Sequence, residues 1–367
     1  MAPPTNDAPL ISLLRAASRG RDCAGLASVD AAVIRWAITT GLGPLLYETI
    51  KDDRDAAGMP FCSELRSASL TAQVVAGEQS DAMDEILQAC EPMASPLTLL
   101  KGISISEQYY PKPHLRPMRD LDLLVEQKAL PGVESCLLRL GYRRQSTGPT
   151  ERYQNHHHTM PLFHPQRRIW VEVHRGLLPP RSPAGMDRVF NIEHVQTQRL
   201  PSAFHGRAAM RLSDELQVVY IAAHWAGSFQ VVGGMVALLD MIYLLQRKGD
   251  AIDWGCLLGW LPGSVASTYL YVVLTYLERH HLIDIDPGVL RELALCQRSR
   301  GSIKEVILHA LIDRYYVGGS PFGWPFSPRN IRILWNTLLL PGSPLRTLLL
   351  LPCHLLLPWR LRKRSAR

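Results

Sequence analysis

No Walker-type G-x-x-x-x-G-K-[ST], no G-x-G-x-x-G and no G-x-S-x-G occurs in the 367 residues, so readings as a P-loop ATPase, a Rossmann dehydrogenase or an α/β-hydrolase lose their usual support. No apolar run reaches the roughly 20 residues that span a bilayer, and Met1–Asp7 has no basic stretch followed by an apolar one, so neither a membrane span nor an export signal is expected. The seven cysteines (Cys23, Cys62, Cys90, Cys136, Cys256, Cys296 and Cys353) are odd in number, scattered and without a C-x-x-C pair. That argues against a disulfide framework or zinc ribbon and suits a reducing cytoplasm. Excess charge is also scarce: of the net +7, five charges sit at Arg360, Arg362, Lys363, Arg364 and Arg367, which leaves too little elsewhere for a sequence-specific nucleic-acid binder.

What is present is apolar side chain, 47% of residues against 20% charged, enough for a sizeable core of about two domains. Residues 8 to 92 read as helices, with Leu10, Leu13, Leu14 and Ala17 at helical spacing, then Leu42 to Ile50 and a long run from Ser63 to Leu87. Between about 95 and 200 the character alternates. Pro96 to Gly102 and Leu121 to Val125 are short apolar runs, and His157 to Phe163 and Ile169 to Val173 flank a turn-like His164 to Arg168, which predicts a hairpin. Helical period returns near 212, with Ser213 as N-cap and Leu216, Val219, Tyr220 and Ala223 on one face. Further helices are expected over Met235 to Gln246, Asp253 to Leu261, Ser264 to His281 and Ile303 to Tyr316. The expected organisation is an α+β protein: a helical N-terminal region (1–94), an α/β core (95–205), a helical C-terminal domain (206–320) and a Pro/Leu-rich tail with a basic end (321–367).

The chemistry is expected in the core. If Asp120 to Val125 is a strand, its period of two sends Asp120 and Asp122 to one face and Leu121, Leu123 and Val125 to the other. Two carboxylates side by side on a buried strand repel and are costly to desolvate, so a divalent cation between them is the simplest explanation, and hard oxygen ligands favour Mg²⁺ or Mn²⁺ over zinc. Glu172, between Val171 and Val173 and on the same face as His174, is a third carboxylate placed by pattern. The alternative is that Asp-x-Asp is a solvated edge strand. His156, His157 and His158 are consecutive, and on a strand they would alternate faces, so a three-histidine zinc site is not expected. Asp284-Ile-Asp286-Pro287 repeats the D-x-D string, but Asp ahead of Pro at a helix start reads as a cap.

The ordered set Lys101-Gly102, Arg116-Pro-Met-Arg119-Asp120-x-Asp122-Leu-Leu-Val125, Leu140-Gly141-Tyr142, His157/His158 and Val171-Glu172-Val173-His174 resembles a nucleotidyltransferase family of the polymerase-β-like superfamily. His224 in Ala222-Ala-His-Trp225 and Asp240 in Leu238-Leu-Asp240 match the later positions of that pattern in order. The resemblance covers about residues 30 to 310 and implies a small mixed sheet with helices. It implies an EC 2.7.7-type transfer of a nucleoside monophosphate from an NTP such as ATP to an unidentified acceptor hydroxyl, with release of pyrophosphate. It further implies Asp120, Asp122 and Glu172 as catalytic metal ligands, with Glu172 on the acceptor side. Lys101, Gly102, Ser104, Arg116 and Arg119 are then expected at the nucleotide, and His158, His174, His224 and Asp240 at the substrate or behind the ligands; for His224 and Asp240, both on helices, the alternative is interdomain hydrogen bonding that fixes the helical lobe against the core. The wider superfamily has Gly-Ser in its first motif; here Ile103 separates Gly102 from Ser104. A second reading is a catalytically silent accessory protein that binds a nucleotide or partner in polysaccharide or modified-peptide biosynthesis. The leucine-rich tail followed by basic residues suits an anionic membrane surface, which would make the protein cytoplasmic and peripheral at the inner face of the membrane.

Overall fold

A computed structural model describes residues 14–18, 31–52, 61–93, 96–146, 150–180, 182, 184–228 and 233–297. The expected helix over Ile303 to Tyr316 and the membrane-binding tail lie outside these residues. None of the described helices is long and apolar enough to cross a membrane.

The N-terminal part is helical. Helices α1 (Ala31–Thr39) and α2 (Gly43–Ile50) meet at Gly41, whose φ of +93° is a left-handed conformation that glycine adopts without a Cβ clash. The long α3 (Cys62–Cys90) follows. The core then opens with β1 (Thr98–Leu100), α4 (Lys101–Tyr109), β2 (Asp120–Leu124), α5 (Leu130–Arg139), β3 (Arg143–Arg144), β4 (Leu162–His164) and β5 (Ile169–His174). After α6 (Ile192–Thr197) come β6 (Arg199–Phe204) and β7 (Arg207–Leu212), and then α7 (Asp214–Ser228), α8 (Gly233–Lys248), α9 (Trp254–Gly259), α10 (Val265–Arg279) and α11 (Pro287–Cys296).

The seven strands form one mixed sheet in the order β3-β4-β5-β2-β1-β7-β6. The expected hairpin is β4–β5, antiparallel with His164 opposite Ile169, and its ladder is taken up again at His158 opposite His174. The β6–β7 hairpin was not expected. Arg-Leu-Pro-Ser-Ala-Phe and Arg-Ala-Ala-Met-Arg-Leu have little β-branched content, and Pro201 is tolerated because β6 is an edge strand. Its turn, His205-Gly206, has positive φ at both residues (+48° and +82°), as a tight primed turn requires. The sheet therefore continues to Leu212, through a parallel contact of β7 with β1.

Alternation along the central strands divides the interior in two. Leu121, Leu123, Val171 and Val173 pack with Val133, Leu137 and the end of α3, including Met83 and Ile86. The opposite face turns toward the C-terminal helices, where Leu100, Leu124 and Leu212 join a larger cluster with Val219, Leu238, Ile242 and Leu270. The D-x-D face is thus enclosed between sheet and helices. The caps agree with the sequence: Ser213 Oγ accepts from the Leu216 amide at 3.3 Å, Ser264 Oγ from Ser267 at 3.0 Å and Asp286 Oδ1 from Gly288 at 2.7 Å, so the second D-x-D ends in a helix cap.

Candidate active site

Strands β2 and β5 run parallel and in register, with Asp120 beside Trp170, Asp122 beside Glu172 and Leu124 beside His174. Period two then places Asp120, Asp122, Glu172 and His174 on one face. Asp122 is 1% exposed. Its Oδ1 accepts from Lys101 Nζ at 2.8 Å and from His174 Nε2 at 2.7 Å. The Glu172 Oε2 lies 3.5 Å from His174 Nε2 and 3.7 Å from His158 Nε2. Ligand atoms of Asp122, Glu172 and His174 all fall within 4.8 Å of one another.

The electrostatics follow from crowding three carboxylates around one lysine and one histidine in a poorly solvated place. Burial pushes Asp120 up to about 7, helped by repulsion from Asp122. Burial acts the same way on Asp122, but Lys101 and His174 outweigh it and hold that carboxyl well below the usual range. Glu172 is lowered against its burial by the contact with His174. Burial and Lys101 would lower His174, yet its bonds to Asp122 and Glu172 raise it. Lys101 stays charged because Asp122 overrides its desolvation. Its φ of +45° is unusual for a residue with a side chain, and the strain sits at the residue that delivers the ammonium to Asp122.

Asp120 and Asp122 line a cleft of about 340 Å³, together with Lys101 and Gly102 from the core, Thr40 and Gly41 from the α1–α2 turn, and one face of α7; Glu172, His158 and His174 are not among its lining residues. Gly102 opens α4 where a Cβ would come within 2.8 Å of both Arg116 Nη1 and Met118 Cβ, so the close approach of the loop requires glycine there. Arg119 is exposed and borders the cleft. Arg116 and Asp240 also border it, but the structure joins them to each other. Arg116 Nε and Nη2 donate to Asp240 Oδ1 and Oδ2 at 2.8 and 2.7 Å, and Tyr110 Oη donates to Oδ1 at 2.8 Å. This fork ties the loop before β2 to α8, so two residues expected at the nucleotide and substrate are first of all a clamp between core and helices. Ser104 is not brought to the cleft: it is buried on α4, where its Oγ accepts from Gln108 Nε2 at 2.6 Å. His224 lines the cleft and is kept neutral, burial and Lys101 lowering it to about 3.

The histidine run departs from the strand expectation. His156 and His157 lie in a bend, and the three rings gather with centroids 4.2 to 4.8 Å apart instead of alternating, which brings ligand atoms of His156, His157 and His158 within 4.8 Å of one another. His158 also touches the site: its Nδ1 is 2.6 Å from the Thr159 carbonyl, which turns Nε2 toward Glu172. Sequence reasoning missed Gln217 and Tyr220 of α7, both in the cleft wall. Their spacing with His224, at i, i+3 and i+7, was legible as one helix face, yet Tyr220 read as core.

A mixed sheet that presents paired carboxylates and a glycine at a helix start to a cleft closed by helices defines a nucleotidyltransferase-like enzyme core. Residues 29–277 match the model of a family described as an uncharacterised nucleotidyltransferase, and since this is more than half of the chain, the protein belongs to that family. No match is found among curated proteins or among solved structures.

Proposed function

We propose that the protein transfers a nucleoside monophosphate from a nucleoside triphosphate to an acceptor hydroxyl and releases pyrophosphate, with Mg²⁺ or Mn²⁺ at Asp120, Asp122 and Glu172. The observation that carries this reading is the in-register pairing of Asp122 with Glu172, with Asp120 on the same face and both aspartates lining the cleft. Two of the three carboxylates fit the metal as a close group: ligand atoms of Asp122 and Glu172 gather with His174, Asp120 stands on the same face outside that group, and Lys101 and His174 lean on Asp122 in the free protein. Bound there, the cation would stabilise charge on the attacking and leaving oxygens.

The chain's own groups supply the rest. The acceptor oxygen attacks the α-phosphorus, its proton passing to Glu172, while the bond to the β-phosphate oxygen breaks and pyrophosphate leaves with the electron pair. Lys101 and Arg119 offer positive charge to the phosphates, and the first amides of α4 point at an anion from a helix N-terminus. The clamp of Arg116 on Asp240 fixes the cleft walls, so that positioning contributes without movement at the moment of reaction. The test is Glu172→Gln, which should lower turnover far more than NTP affinity, because the carboxylate acts mainly as the attacking oxygen develops charge. Equal losses in both would make Glu172 a ground-state nucleotide ligand and refute the role given to it.

A further inference from the structure

The helix that closes the cleft carries polar groups for which the described residues offer no partner. Gln217 and Tyr220 are 2% and 1% exposed, and among the described residues neither Gln217 Nε2 nor Tyr220 Oη has a hydrogen-bond partner. A buried polar group without a partner costs on the order of 1–3 kcal/mol, so two of them one helical turn apart on a single wall call for a partner beyond the described residues. Both residues line the cleft, together with Asp120, Asp122 and Lys101. The phenol lies within electrostatic reach of Lys101, Asp122, Glu172 and Asp120. It is a neutral donor at physiological pH, because burial raises it above the ordinary phenol range.

We propose that α7 is the nucleotide-reading wall of this site, with the Tyr220 hydroxyl donating to a phosphoryl oxygen of the bound nucleoside triphosphate and the Gln217 carboxamide hydrogen-bonding the nucleoside part. The assignment deepens the proposed function and rests on it. A neutral donor suits that place: beside three carboxylates, a hydroxyl can meet a phosphoryl oxygen without adding negative charge or competing with Lys101 for Asp122. Gln217, with a donor and an acceptor on one group, matches the mixed edges of a base or sugar and rejects analogues that leave it unpaired.

The experiment uses the full chain, as wild type, Tyr220→Phe and Gln217→Leu. It measures the melting temperature without ligand, affinity for Mn²⁺ alone, and affinity for each of the four NTPs with Mg²⁺. The expected result is an unchanged or higher melting temperature for both variants, since an unsatisfied polar atom is removed, and unchanged Mn²⁺ affinity. NTP binding should weaken about tenfold to a hundredfold for Tyr220→Phe, and preference among the NTPs should be lost for Gln217→Leu. A lower melting temperature with unchanged NTP affinity would make the two groups structural and overturn the assignment. A wild-type chain that binds no NTP overturns the proposed function together with this inference, whereas wild-type binding that both variants retain overturns the inference alone.

Discussion

Replacing Asp240 by leucine isolates the clamp between core and helices. The carboxylate accepts three hydrogen bonds, two from Arg116 and one from Tyr110, and the ion-paired side chains are 11% and 3% exposed. Removing one partner of a buried pair strands the other charge, at a cost of about 3–5 kcal/mol, and here the Tyr110 hydroxyl loses its acceptor as well. For a folded unit of this size each kcal/mol moves the melting temperature by about 2–4 °C, so Asp240→Leu should lower it by about 6–20 °C. Arg116→Met should cost a similar amount by stranding the carboxylate. The double variant should recover most of the loss, because two matched apolar side chains then replace a pair whose attraction barely repays its desolvation. Urea denaturation of the wild type, both single variants and the double variant closes the thermodynamic cycle. Additive losses, or a loss below about 1 kcal/mol for Asp240→Leu, would refute the buried-clamp reasoning.

Three further outcomes follow from the same geometry. In metal-free protein, Asp120 rises from 3.8 to about 7, and at about 1.36 kcal/mol per pKa unit its ionisation in the fold costs up to about 4 kcal/mol. A carboxyl raised in this way lends stability below its unfolded pKa that is lost as pH climbs through the folded one, and raised His174 acts in the same direction. Buried His224, lowered to about 3, acts in the opposite direction below its ordinary range, so the readout is a difference: in EDTA the stability of the wild type relative to Asp120→Asn should fall between about pH 4 and 7, with Mg²⁺ opposing the fall, and a difference that is flat or rises over that range would contradict the assignment. Gly102→Ala should destabilise by about 1–3 kcal/mol, since its Cβ meets Arg116 and Met118 at 2.8 Å, and a variant as stable as wild type would show that the loop yields. Lys101→Met should raise the Asp122 carboxyl and weaken NTP binding with little effect on the Glu172 contact to His174, which nucleotide titration and histidine NMR would separate.

The central strands were legible because alternation is a local property: Asp120, Leu121, Asp122 and Leu123 declare two faces, and Val171-Glu172-Val173 repeats the statement on the neighbouring strand. The turn from His164 to Arg168 announced its hairpin by composition. What escaped the sequence was set by tertiary contact. Strands β6 and β7 form from residues with weak strand preference because β1 offers an edge to β7. Asp240 reads either as a substrate group or as a hydrogen-bond partner that fixes the helical lobe against the core, and only the fold reveals that its partner is Arg116, 124 positions earlier. His156 to His158 were read with strand alternation, while the bend before His158 removes it. Tyr220 fitted the apolar face of α7, and its unused hydroxyl becomes visible only when the cleft is built around it.

The most direct test of the central claim is incubation of the full chain with each α-³²P-labelled NTP, Mg²⁺ and host-cell extract, beside an Asp122→Asn/Glu172→Gln double variant. The account predicts label on an acceptor and free pyrophosphate with the wild type only, and a thermal melt run beside the assay shows how much of the variant is folded, because losing the Asp122 carboxylate strands the buried Lys101 ammonium. Equal labelling by the double variant, or a wild-type chain that neither labels an acceptor nor binds any NTP in the presence of Mg²⁺, would contradict it.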